Sequence, residues 1–126
     1  MELSIIVPIK CGSIEAVEDF TKYIVNLSAL LSRYSIQILI ADECDSKVYD
    51  YMNDRLHAFE NVEHFIPEAK YRVGQNDKSN GVCAAVDRCK YDNILLVDDH
   101  YRLTKNTILS LEKYYEIYDD FKCISR

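Results

Sequence analysis

The chain has 126 residues, 48% hydrophobic and 29% charged, with 15 Lys and Arg against 21 Asp and Glu for a formal charge of -6. These fractions suit one globular domain and exclude a disordered or collagen-like chain. An acidic balance also argues against nucleic acid or an anionic membrane as partner, since both need a basic field.

The opening MELSIIVPIK holds a strand-length apolar run, Leu3 to Pro8, with no basic flank and no small-residue cleavage site. Gly12 and Ser13 then lead into Val17, Phe20, Ile24, Leu27 and Leu31, spaced by threes and fours as one stripe of a helix. Ile36 to Ala41 is a second branched-aliphatic run and ends at Asp42. Ser46 is the expected N-cap of a helix carrying Val48, Met52, Leu56 and Phe59. A weaker strand is expected around Val62 to Ile66, then a polar loop from Pro67 to Asp77. Val82, Ala85, Val86 and Cys89 give a third helical stripe, Asn93 to Val97 a further strand, and Ile108, Leu111, Tyr115 and Tyr118 a fourth helix from near Thr104. The chain closes on what reads as the start of another strand near Phe121.

Continuous apolar runs without alternation are strands covered on both faces, and their alternation with helices predicts an α/β fold: a mostly parallel sheet with helices on both faces. No stretch nears the roughly 20 apolar residues that cross a bilayer. The five cysteines (11, 44, 83, 89 and 123) match no zinc or CxxC spacing and read as free thiols, so the expected setting is a reducing cytoplasm. His57 and His64 read as ordinary structural histidines, and Tyr114, Tyr115 and Tyr118 as one half-buried helix face.

Ligands of open parallel sheets bind beyond the carboxyl ends of the strands, where the order of connections reverses. The strand ends here carry Pro8-Ile9-Lys10-Cys11-Gly12, Asp42-Glu43-Cys44-Asp45 and Asp98-Asp99-His100. A carboxylate after the second strand can accept from a base or ribose, and carboxylates with an imidazole after the fourth can hold a divalent cation. There is neither a GxGxxG fingerprint nor a GxxxxGK[ST] loop. Neutralising a diphosphate would fall to a metal and to basic side chains such as Arg72 and Lys78.

SIIVPIK, ILIAD and SNGVCAAVDRCKYDNILLVDDHYRLTKNTILSLEKYY together resemble the nucleotide-binding half of an inverting GT-A glycosyltransferase of the family-2 type, which includes dolichyl-phosphate mannose synthases. The resemblance implies a Rossmann-like GT-A half spanning residues 1–126, cut before the acceptor-binding half that carries the catalytic base, so no catalytic residue can be named. It implies that Pro8, Ile9 and Lys10 line a base pocket through backbone groups, that Asp42 accepts from the base, and that Lys78 with Arg72 faces the diphosphate. Asp98 and His100 would hold the cation, with Asp99 near the ribose. Histidine stands where the second metal carboxylate of the family's Asp-x-Asp lies, which favours Mn2+ over Mg2+. Neighbouring residues of a strand point to opposite faces, which is why Asp98 pairs with His100 rather than with Asp99 in this reading. The expected partner is a nucleotide-sugar, with pairing of two copies through the unfinished sheet edge as a further expectation. The alternatives are a nucleotidyltransferase, which would want a glycine-rich basic loop after the first strand, and a non-catalytic α/β binding or assembly module.

Overall fold

Parallel strands β1 (Glu2–Ile9) and β2 (Ser35–Asp42) pair along their whole length, from Glu2 opposite Ser35 to Ile9 opposite Asp42. A computed structural model of the chain describes residues 2–68, 77–117 and 123–124. Around this central pair lie α1 (Ile14–Leu31), α2 (Ser46–Leu56), β3 (Val62–Phe65), α3 (Asp77–Val86), β4 (Ile94–Leu96), α4 (Lys105–Ile117) and β5 (Cys123–Ile124). The sheet order is β3-β2-β1-β4-β5 and every pairing is parallel. This is the α/β architecture with a parallel sheet expected from the apolar runs, and it is consistent with a Rossmann-like fold.

Strand periodicity divides the core in two. Leu3, Ile5, Val7 and Ile9 of β1 and Ile36, Ile38 and Ile40 of β2 pack with Val17, Phe20, Ile24, Leu27 and Leu31 of α1 and Val48, Met52 and Leu56 of α2. Ile6, Leu39 and Ala41 point the other way and meet Ala84 and Ala85 of α3. Both faces are therefore covered, which is why the strands read as unbroken apolar runs. Each large side chain sealed this way contributes about 1.5–3 kcal/mol.

Local signals set the element ends. Ser13, in extended conformation, caps α1 by accepting from the amide of Ala16 at 3.3 Å. The residue in the cap position of α2 is Asp45 rather than the expected Ser46, which is already helical, and the Asp45 side chain makes no capping bond. The α3 stripe also differs from expectation. Its inward face is Asn80, Gly81, Ala84 and Ala85, whereas Val86 is 46% exposed. A Cβ on Gly81 would stand 3.0 Å from the Ala41 side chain and 3.6 Å from that of Pro8, so this helix lies too close to the sheet for larger residues.

The path of the chain fixes where a ligand can sit. From β1 the strands step outward through β2 to β3, and the α3 connection then returns the chain to the far side of β1 as β4. The order reverses between β1 and β4, and the end of β4 lies at that crevice. No helix among the described residues is long and apolar enough to cross a membrane.

Candidate functional site at the carboxyl edge of the sheet

The described acidic candidates lie at one edge of the sheet, on either side of β1. Asp42 is opposite Ile9, and Leu96, two residues before Asp98, is opposite Ile6. With strands about 4.8 Å apart, the two acidic strand ends lie roughly 10 Å apart across β1.

At the β4 end, Asp98, Asp99 and His100 bring one ligand atom each to within 4.8 Å of one another. This corrects the expectation that Asp98 and Asp99 diverge. The strand stops at Leu96, and the chain then turns, with Tyr101 N donating to Asp98 O at 3.0 Å and His100 N to Asp98 Oδ1 at 2.9 Å. Alternation holds only in extended chain; in a turn, consecutive side chains can converge. Arg102 secures the turn against α1. Its guanidinium donates to Asp99 O and lies over the ring of Tyr23 at 4.8 Å, while Leu103 N donates to Tyr23 Oη at 2.9 Å. Burial raises the pKa of that phenol above its ordinary 10.0, so it stays protonated near neutrality. Two carboxylates and an imidazole form a mixed oxygen and nitrogen donor set that suits Mn2+ better than Mg2+.

The β2 end is more enclosed. Asp42 Oδ1 accepts from Cys44 N at 2.8 Å and Oδ2 from His64 Nε2 at 2.6 Å, and both side chains are essentially sealed from solvent, at 0% and 1% exposure. The imidazole stacks on Tyr49 of α2, with centroids 4.3 Å apart and planes 24° apart. Sequence reasoning missed His64, whose partner lies 22 residues away on another strand. Cys44 ties this end to β1: its Sγ accepts from Cys11 N at 3.1 Å. Burial, followed by the adjacent Asp42, pushes the Cys44 thiol well above its ordinary range, so it is no nucleophile at neutral pH. On the α3 face, Asn80 Nδ2 donates to Glu43 Oε1 at 2.7 Å, and the buried Asn80 Oδ1 has no partner among the described residues.

The β1 end contributes mostly backbone. Pro8 and Ile9 are buried, the Ile9 side chain belongs to the α1 and α2 core, and Ile9 O accepts from Glu43 N at 2.9 Å. Lys10 is exposed at the rim. A depression of about 680 Å³ opens beside it between the starts of α1 and α2, lined by Gly12, Ser13, Glu15, Asp45 and Lys47 among others. The two helix starts bring backbone amides to it, beside the carboxylates of Glu15 and Asp45. Arg72 lies outside the described residues. Phe121 also lies outside them, and Lys78 stands in the first turn of α3 with its side chain outside them.

No protein-family model, no curated protein and no solved structure matches this chain at a significant level. Its function is therefore read from the chemistry of the site.

Proposed function

We propose that this chain is the nucleotide-sugar-binding half of an inverting glycosyltransferase, taking a nucleoside-diphosphate sugar together with a divalent cation. The observation that carries the reading is the grouping of Asp98, Asp99 and His100 within 4.8 Å at the reversal point of the sheet, next to the end of β1. Asp98 and His100 would hold the cation. Asp99, which reaches the same small volume, serves either as a third ligand or as the ribose acceptor. A bound divalent cation supplies Lewis acidity that stabilises charge on the departing nucleoside diphosphate.

The chain's own side chains would bind and orient. Arg102 and Tyr23 keep the acidic turn in one conformation before a ligand arrives, which lowers the ordering cost of binding. The base would lie toward the β2 end, near Asp42, with Lys10, Lys78 and Arg72 available to the diphosphate. No described residue is given the role of deprotonating the acceptor hydroxyl.

Calorimetric titration with UDP-, GDP- and dTDP-sugars, each with and without Mn2+, tests the proposal. Binding of one of them that requires Mn2+ is expected. Silence across the panel in a folded sample would overturn it and favour a non-catalytic α/β binding or assembly module.

A further inference from the structure

If the chain binds a nucleotide-sugar as proposed, Asp42 is the carboxylate that meets the nucleobase, and the role of His64 derived from it rests on that reading. In the structure the Asp42 carboxylate is already taken. Both oxygens accept internal hydrogen bonds, and the side chain has no exposed surface. The group on Oδ2 is itself a flat heteroaromatic ring that presents an N–H to the carboxylate and stacks on a tyrosine. A nucleobase with a ring N–H would bring the same features to the same place.

A second observation concerns the other nitrogen of that ring. An ionised carboxylate only accepts, so in this contact Nε2 is the donor. Nδ1 is buried and has no hydrogen-bond partner among the described residues. A buried ring nitrogen left without a partner is costly, and swinging the ring outward would let water satisfy it. The closed contact thus sets one strong bond against one unsatisfied atom. The His64 side chain is itself sealed, but its neighbours reach solvent: Tyr49 is half-buried and Ile66, two residues beyond His64, is exposed.

We infer that His64 is an internal competitor for Asp42, so that a base reaches Oδ2 only by displacing the imidazole. The imidazole yields only to a base that brings its own ring N–H to Oδ2, as uracil, thymine and guanine do. Cytosine and adenine present an acceptor nitrogen at the corresponding ring position, so lone pair would face carboxylate. The Asp42 carboxylate itself therefore selects against those bases, while His64 lowers the affinity of any base that must displace it.

The test is calorimetric titration of UDP and CDP, with Mn2+ present, into the wild-type chain, His64→Ala and His64→Gln. Removing the competitor should tighten UDP about tenfold in His64→Ala, because the closed state no longer lowers the apparent affinity. His64→Gln, which keeps an N–H donor, should stay near wild type, and CDP should bind the wild-type chain more weakly than UDP. UDP binding that is unchanged or weaker in His64→Ala, with the wild-type chain still binding UDP, overturns the competitor role and leaves the nucleotide-sugar reading standing. Absence of nucleotide binding in all three folded proteins overturns that reading and the competitor role with it. Should His64→Ala not fold, the wild-type imidazole decides: its Nε2–H proton resonance should leave its carboxylate-bonded position on saturation with UDP. A resonance that stays in place with UDP bound overturns the inference.

Discussion

Gly81 on α3 and Ala41 on β2 approach so closely that a Cβ added to the glycine would stand 3.0 Å from the alanine side chain. Two effects oppose each other in Gly81→Ala. Alanine gains about 1 kcal/mol in helix propensity over glycine, while the contact forces a shift of a few tenths of an ångström. Chemical denaturation should therefore find Gly81→Ala close to wild type. Gly81→Val adds a branched side chain against the sheet and loses most of the propensity gain; it should cost about 1–3 kcal/mol.

The opposite edge of the sheet carries a purely structural polar network, which provides a control. Gln37 Oε1 accepts from Ser4 Oγ at 3.0 Å and from Lys90 N at 2.9 Å, and Gln37 Nε2 donates to Arg88 O at 3.4 Å. Replacing Gln37 by Leu leaves the buried Ser4 hydroxyl without its acceptor and takes their partner from Lys90 N and Arg88 O, which should cost about 2–4 kcal/mol. Metal and nucleotide affinity of the folded fraction should be unchanged, since this network lies at the other end of the strands.

The apolar runs make the parallel sheet legible, because strands sealed on both faces leave a continuous signal. Four features are not legible, each for a physical reason. Periodicity points to Val82, Ala85, Val86 and Cys89 as the α3 face, but close approach to the sheet selects small residues, so Gly81 and Ala84 turn inward and Val86 outward. Ser46 reads as a cap because serine favours that position, although the helix begins one residue sooner than a Ser46 cap implies. Asp98, Asp99 and His100 are legible as a cluster, but their convergence depends on β4 ending at Leu96. His64 carries no signal of its own: one polar residue in a weak strand reads as an ordinary structural histidine, and only the β2–β3 register, with Ile40 opposite His64, brings it to Asp42.

Thiol chemistry should distinguish the cysteines. Cys83 is exposed, whereas burial and the Asp42 charge raise the pKa of Cys44 well above its ordinary 9.0. Iodoacetamide at neutral pH should label Cys83 long before Cys44, as peptide mapping would read. The same shift has a stability consequence. A thiol whose folded pKa is raised contributes fully below its unfolded pKa, and that contribution is lost as pH rises beyond it. Tyr23 and Tyr49, both raised by burial from 10.0, act in the same direction at higher pH. Denaturation midpoints should fall from about pH 9 upward, and less steeply in Cys44→Ala measured against its own neutral-pH value. Equal slopes would remove Cys44 as a contributor.

The most direct test of a nucleotide-sugar site is where Mn2+ sits. In 15N-resolved spectra, substoichiometric Mn2+ with a nucleoside diphosphate should broaden the amides of Asp98 to Tyr101 first and then those at the end of β1, Lys10 to Gly12. Gln37 and Tyr91 at the far edge should stay sharp, and Asp98→Asn should weaken the broadening about tenfold or more, through loss of a charged ligand. Broadening spread over scattered surface carboxylates, or unaffected by Asp98→Asn, would contradict a cation site at the end of β4.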